Sequence, residues 1–423
     1  MHCFLRKMLA CLLVGSLCCF SLFGFVDAKN IDKLAYVVAI GLDVSSSNKL
    51  KLSFQISLPS AESGSSSGSG DSSSSSQSSN VIVTTVHCDT IDSGINLVNS
   101  YISKQLNFVN CKVIVFSEEL ASQGISDYIY TFVNNKEIRP HVDIVISKSD
   151  AKTFLDNSEP TLEKLSARYY DAITTSAKYT GYTSRSTIGS YFSSIRDTFT
   201  QPSAVLGAVV GSSTANDTQL SMNGVSSYST AGSYTAAGAP IENEKPSIVN
   251  MGLAVFHNDK LVGELTGMET ICHLLVSNQF RTCYLTVPNP FEENGSIDLF
   301  VQQNGNSKSK VSFVNGSPYI ETKVKVKARI LSLSKDSDYL SSENLEKIEE
   351  YVNSYLENCI SEYLYKTSKV FHSDISGFGK YAVIHFSTIS DWKDCNWLSL
   401  YKDAFFRVNV DSKVSSSYFL LRT

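Results

Sequence analysis

No Cys-x-x-Cys pair, no His-Glu-x-x-His and no glycine-rich phosphate loop of the P-loop or dinucleotide-binding type occurs in the 423 residues of this chain. Those gaps exclude the zinc-protease and nucleotide-binding fingerprints that sequence alone can establish. Charge is also short, at 18% against roughly 25% in ordinary soluble domains. The formal net charge is -5, so the chain lacks the basic face that phosphate neutralisation needs, and nucleic acid is excluded as a partner. Seven histidines (His2, His87, His141, His257, His273, His372 and His385) never cluster at ligand spacing, and Cys272-His273 with Cys283 is a poor zinc pattern. Gly64 to Gly68 fits G-x-S-x-G, yet it lies inside a serine repeat with no strand before it and no helix after it, which the nucleophile elbow requires. No catalytic, cofactor-binding or metal-ligating residue is therefore assigned.

What is present begins with export. Arg6 and Lys7 precede Met8 to Val26, an apolar run interrupted only by Gly15, Ser16, Ser21 and Gly24. A basic segment followed by an apolar one keeps its positive end cytoplasmic and sends the remainder outside. Three routes of attachment are open. Nineteen residues at about 1.5 Å each span ~28 Å, close to the hydrocarbon thickness, so residues 8–26 suit an uncleaved anchor. Val26-Asp27-Ala28 has the small-residue spacing of a signal peptidase site. Lipidation needs a thiol that Phe25 cannot supply, and it ranks below the other two.

Ten cysteines read as a disulfide framework until they are placed. Cys3, Cys11, Cys18 and Cys19 lie in the export segment, leaving Cys88, Cys111, Cys272, Cys283, Cys359 and Cys395 widely spread. These are expected to be mostly free buried thiols, with Cys272 and Cys283 the best placed for a local bridge.

At this length one core is too few, and the elements predict an α+β, multi-domain body of mixed β-sheets flanked by helices. Residues 1–28 form the signal or anchor segment, and 29–200 the N-terminal domain. Within it, Ala35 to Val44 and Leu50 to Leu58 form a hairpin, the second strand alternating Leu50, Leu52, Phe54, Ile56 and Leu58 with one face buried and the other wet. Residues 60–80 are a serine-rich insertion too poor in apolar groups to order. Ile91, Ile95, Val98, Ile102 and Leu106 share one helix face. Strands follow at Cys111 to Phe116 and His141 to Ile146, with helices from Ser126 to Asn134 and from Asp150. Residues 201–246 read as a flexible Ser/Thr/Gly-rich loop.

The C-terminal domain, 247–423, divides at about residue 290 if it has two subdomains. It opens with a hairpin turning at Asn258-Asp259 and a helix over Met268 to Leu275. Strands recur at Tyr284 to Val287, Ser296 to Gln302, Lys310 to Val314, Tyr319 to Leu333, Tyr381 to Ser387 and Phe405 to Val410. One long helix, Ser342 to Val370, carries an apolar stripe through Ile348, Val352, Leu356, Ile360 and Leu364 that packs on the adjacent sheet. Gly377 and Gly379 relax a turn, and Arg139 before Pro140 suits either a structural ion pair or an acidic partner.

"GFVDAKNIDKLAYVVAIGLD", Gly24 to Asp43, resembles the mature start of the Ger(x)C family, the C subunits of spore nutrient-germinant receptors. Gly24, Asp27, Ile31, Leu34, Ala35, Gly41 and Asp43 match in register, while Phe25 and Val26 replace the lipidated cysteine and its tryptophan. The likeness continues through Val113 to Leu155, "GLAVFHNDKLVGEL" and "SDISGFGKYA", Ser373 to Ala382. It implies a non-catalytic subunit on the outer face of the spore inner membrane, anchored by residues 8–26 or held by A-type and B-type membrane subunits, with the nutrient germinant bound by a partner. A secreted solute-binding or cell-surface adhesion module is the alternative, and a cryptic serine hydrolase a third class.

Overall fold

The computed structural model describes residues 2–22, 31–45, 49–58, 81–158, 166–211, 231–241, 245–292, 295–333 and 342–416. After helix α1 (His2–Leu22), the first sheet is built from β1 (Leu34–Val44), β2 (Leu50–Ser57), β3 (Val81–Cys88), β4 (Gln105–Asn107), β5 (Val113–Ser117), β6 (Asp143–Ser147), β7 (Ser203–Val210), β8 (Ser247–His257) and β9 (Lys260–Leu265). Its order is β3-β2-β1-β5-β6-β7-β8-β9, with β4 beside β1. The centre, β1-β5-β6-β7, is parallel, and antiparallel pairs flank it on both sides. Parallel strands are covered on both faces and read as unbroken apolar runs, which is what "VVAIGL" and "VIVF" are. One face packs with α2 (Ile91–Tyr101), α3 (Glu118–Gln123), α4 (Ser126–Asn134) and α7 (Ile188–Arg196), and the other with α5 (Ala151–Asp156) and α6 (Ser166–Thr180).

The second sheet follows α8 (Gly267–Val276). It runs β10 (Thr282–Pro288), β11 (Ser296–Gln303), β13 (Ser317–Leu333), β12 (Lys308–Val314), with β14 (Phe405–Ser416) parallel to β13. The long helix α9 (Ser342–Tyr365) buries Ile348, Val352, Leu356, Ile360 and Leu364 against this sheet, as its periodicity requires. A π-helical turn, Lys366–Val370, ends it, and α10 (Gly379–Ala382), α11 (Ile389–Asp394) and α12 (Trp397–Tyr401) lead to β14. The fold is therefore α+β with two sheets, mixed and largely antiparallel, and a long C-terminal helix.

Several expectations need correction. Ser203–Val210 is not loop but β7, an interior strand whose small apolar residues are hidden by the Ser/Thr/Gly composition around them. The hairpin expected to open the C-terminal domain completes the first sheet, because β8 pairs with β7. The second face of β2 is not wet: Ser53 and Gln55 are buried under α5 and α6, and Gln55 accepts from the Tyr170 hydroxyl at 2.8 Å. The helix from Ile91 stops at Tyr101, and Leu106 belongs to β4, its N–H taken by Asn99 Oδ1 at 2.9 Å. Tyr381 to Ser387 is not a strand; α10 and a 3₁₀ turn occupy it, since a short apolar run is ambiguous between the two periods. The cysteines, by contrast, are as expected: Cys88, Cys111, Cys272, Cys283, Cys359 and Cys395 are all free thiols, and no bridge joins Cys272 to Cys283.

Among the described residues no helix is long and apolar enough to cross a membrane. Residues 23–26 of the expected anchor, and the serine-rich stretch 60–80, lie outside them.

Candidate functional site

The polar groups that the fold brings together meet at the β8–β9 turn, where the two sheets adjoin. The loop after the π-helical turn, residues 373–379, holds a fully buried carboxylate. Asp374 Oδ1 accepts the N–H groups of Gly377 at 2.8 Å and Phe378 at 3.1 Å, while Oδ2 accepts those of Gly379 at 2.8 Å and the Trp397 indole at 2.9 Å. Burial pushes Asp374 up to about 6, and the four donors oppose that rise without cancelling it. The local sequence makes the turn feasible. Gly377 sits at φ +75°, where a side chain is strained, and a Cβ on Gly379 would stand 2.6 Å from the Phe199 carbonyl oxygen.

From this loop the bonds run to the first sheet. Asp374 O accepts Gln201 N at 2.9 Å, Ser373 Oγ donates to Phe256 O at 2.6 Å, and Gln201 Oε1 accepts Asn258 N at 2.6 Å. His257 Nδ1 lies 2.8 Å from His372 O. On its other side the turn is held by the N-terminal helices: Asp259 Oδ2 accepts the Ser126 hydroxyl at 2.9 Å and Asp259 O accepts Ile125 N at 3.2 Å. The turn is thus gripped from α4 on one flank and from the 372–374 loop on the other. These bonds are short, mutually satisfying and mostly enclosed, which is the arrangement of a rigid joint.

A second buried carboxylate docks α5. Asp43 Oδ1 and Oδ2 accept the first N–H groups of that helix, Ala151 at 2.5 Å and Lys152 at 3.1 Å, so β1 caps the helix that covers it. Gly41, two residues earlier, lets α5 approach: a Cβ there would stand 3.1 Å from Leu155 Cδ1.

Among the described residues no group of three or more His, Cys, Asp or Glu is placed to hold a metal. His273 is buried beside Tyr363, whose hydroxyl lies 2.9 Å from Nδ1, and burial pushes its imidazole down to about 4. Burial likewise raises the Cys283 thiol to about 12 and that of Cys272 well above its usual value, so both are packed, unreactive groups. Arg139 is exposed and makes no ion pair among the described residues, which leaves the acidic-partner reading open. Lys148 bridges Glu118 at 2.8 Å and Glu264 at 2.5 Å at the carboxyl ends of the parallel strands.

The sequence reading found Gly377, Gly379 and the Asn258-Asp259 turn but missed Asp374, Trp397 and Gln201. The signal available was Asp374 three residues before Gly377, a spacing at which a carboxylate reaches successive backbone N–H groups.

Fold and site together define a two-sheet body in which the buried carboxylate of Asp374 and its neighbours join the second sheet to the first. Residues 27–209 match the spore germination protein N-terminal domain, and residues 251–418 match the family described as spore germination B3/GerAC like, C-terminal. The chain belongs to this GerAC-like family of spore germination proteins. It is similar to spore germination protein GerQC of Bacillus cereus, 20% identical over 322 residues that make up 74% of this chain and 77% of the relative. It also resembles the chain described as the crystal structure of the GerBC protein, at TM-score 0.48 and 16% identity, covering 92% of this chain and 99% of that one.

Proposed function

We propose that the chain is the extracytoplasmic C subunit of a spore nutrient-germinant receptor. It stands on the outer face of the spore inner membrane beside A-type and B-type membrane subunits, and a partner subunit binds the nutrient. The tandem match over residues 27–209 and 251–418 carries this reading, and the joint at Asp374 supports it mechanically. A body in which the second sheet is bonded to the β8–β9 turn, and the turn to α4, moves as one piece. Such a piece stabilises the assembled receptor or passes a displacement from one membrane subunit to the other.

Attachment is proposed through residues 8–26, retained as an anchor, or through the partner subunits alone; a lipid on the chain is the least favoured route because Phe25 stands where the family has its thiol. Within the body two domains are proposed, with the boundary expected between 200 and 247 moved past β9, because β7, β8 and β9 all belong to the first sheet. Deletion of the gene tests the functional reading: slowed or abolished germination on at least one nutrient is expected, and spores that germinate normally on every nutrient refute it. The mass of the N-terminus isolated from spore membranes separates the spanning, cleaved and acylated forms.

A further inference from the structure

We propose that the cleft beside the β8–β9 turn is a binding site for a small oxyanion that also carries an O–H donor, the chemistry of hydrogen phosphate. The cleft is a solvent-open depression of about 350 Å³, lined by half-buried His257 and Leu398 and by exposed Asn258, His372, Asn396, Ser399 and Lys402. That volume lies within the range of small-molecule sites. Three chain segments that are far apart in sequence converge on it.

Charge selects the ligand. No carboxylate lines the cleft, and the acids nearest in sequence are engaged elsewhere. Asp259 accepts from Ser126, Asp374 is saturated by four donors, and Asp403 lies 4.0 Å from Lys369. Lys402 makes no ion pair, and the side chains of Asn258, Asn396 and Ser399 make no hydrogen bond, among the described residues. One ammonium, two amides and a hydroxyl therefore offer donors to a single space.

The imidazoles add acceptors. His257 Nδ1 faces the His372 carbonyl at 2.8 Å and His372 Nδ1 faces the Ser368 carbonyl at 2.9 Å. A carbonyl cannot donate, so each Nδ1 donates its N–H, and in that tautomer Nε2 is the ring atom with a lone pair to offer. A ligand with both an anionic oxygen and an O–H satisfies the two sets at once.

Backbone strain supports the assignment. Five non-glycine residues among those described have positive φ, and three of them, Asn258 (57°), His372 (50°) and Asn396 (45°), line this one cleft. Asn takes this conformation readily, and Asn258 does so as a hairpin-turn residue, so His372 is the one whose left-handed backbone is enforced by its surroundings, as at many ligand sites.

The test is calorimetric titration of the full chain in detergent micelles with inorganic phosphate, and separately with acetate, against sodium chloride at matched ionic strength. Saturable phosphate binding above the chloride control is expected, with acetate weaker because it offers no proton. Lys402→Ala should weaken phosphate about tenfold or more, and Lys347→Ala, on the outer surface of α9, should leave it unchanged. His372→Gly keeps the left-handed backbone without strain and removes one acceptor, so it should fold and still bind less tightly. Absence of saturable phosphate binding, or Lys402→Ala binding as tightly as the unaltered chain, overturns the proposal. Neither result bears on the receptor reading, which stands or falls on spore germination.

Discussion

Trp397 donates its indole N–H to Asp374 Oδ2 at 2.9 Å, and this bond fastens α12 to the loop that leaves the long helix. The indole is almost fully buried and stacks on Trp392 with ring centroids 5.8 Å apart, so the donor is held in place by packing as well as by its acceptor. Asp374 is correspondingly the least replaceable polar residue of the joint. Asp374→Asn puts an N–H₂ group among donors that need an acceptor, and a loss of about 2–4 kcal/mol in stability is expected. Trp397→Phe leaves three backbone donors on the carboxylate and should cost less, about 1–2 kcal/mol. Denaturant unfolding of the full chain measures both; equal losses would contradict the central place given to the carboxylate.

Acid should act on the joint in two opposite ways. Asp374 is raised to about 6 from a usual value near 3.8, so the folded state binds its proton more tightly than the unfolded state does. Its contribution to stability therefore grows as pH falls from about 6 to about 4. His273 is lowered to about 4 from near 6.5, and its contribution is lost over nearly the same window as pH falls. Each shift is about two pH units, or ~3 kcal/mol, so the two largely offset one another. Stability measured between pH 6.5 and 4 should fall more steeply in Asp374→Asn than in the unaltered chain, and parallel profiles would show that Asp374 is not raised.

The helix α9 does more than cover a sheet face. Glu349, Asn353 and Glu357 accept the backbone N–H groups of Val414, Ser412 and Val410 at 3.0, 2.8 and 2.8 Å. Four helical residues rise about 6 Å and two strand residues about 6.6 Å, so side chains four apart on α9 meet N–H groups two apart on β14. The outer edge of the sheet is thereby closed to other strands. Alanine at all three positions should cost about 1 kcal/mol each and leave an open edge. Light scattering should then show concentration-dependent association at concentrations where the unaltered chain stays dispersed; no change in association would mean the edge is closed by something else.

Much of this architecture was legible beforehand because periodicity reports burial directly. The stripe from Ile348 to Leu364 marks a helix whose apolar face suits either a coiled-coil partner or, as the structure has it, the adjacent sheet, and the β8–β9 turn is marked by Asn258-Asp259 between apolar strands. What escaped notice lies where a residue's role is fixed by distant partners. Gln55 alternates like a solvent residue, yet it is buried because α6 brings Tyr170 over it. Ser203–Val210 carries small side chains that suit a strand packed on both faces, and composition alone assigns them to a loop. Asp374 carries no mark of burial in its local sequence, and the indole arriving from 23 residues away shows why it is buried.

The docking of α5 gives a prediction that separates charge from shape. Asp43, itself 2% exposed, serves two N–H groups of the helix's first turn and lies 3.7 Å from the partly exposed Lys51 ammonium. Asp43→Ala strips both caps and should destabilise the protein by about 1–2 kcal/mol, with amide exchange accelerated first at Ala151 and Lys152. Gly41→Ala acts on the same helix without touching its caps, by crowding Leu155 and Ala151, whose side chains stand 3.1 and 3.2 Å from the added carbon. It should lower stability while keeping those two amides as slow as their neighbours in α5. Because both substitutions act through one short helix, their effects should be less than additive in the double variant. Full additivity would mean that the cap and the close approach are independent, and that Asp43 holds something other than α5.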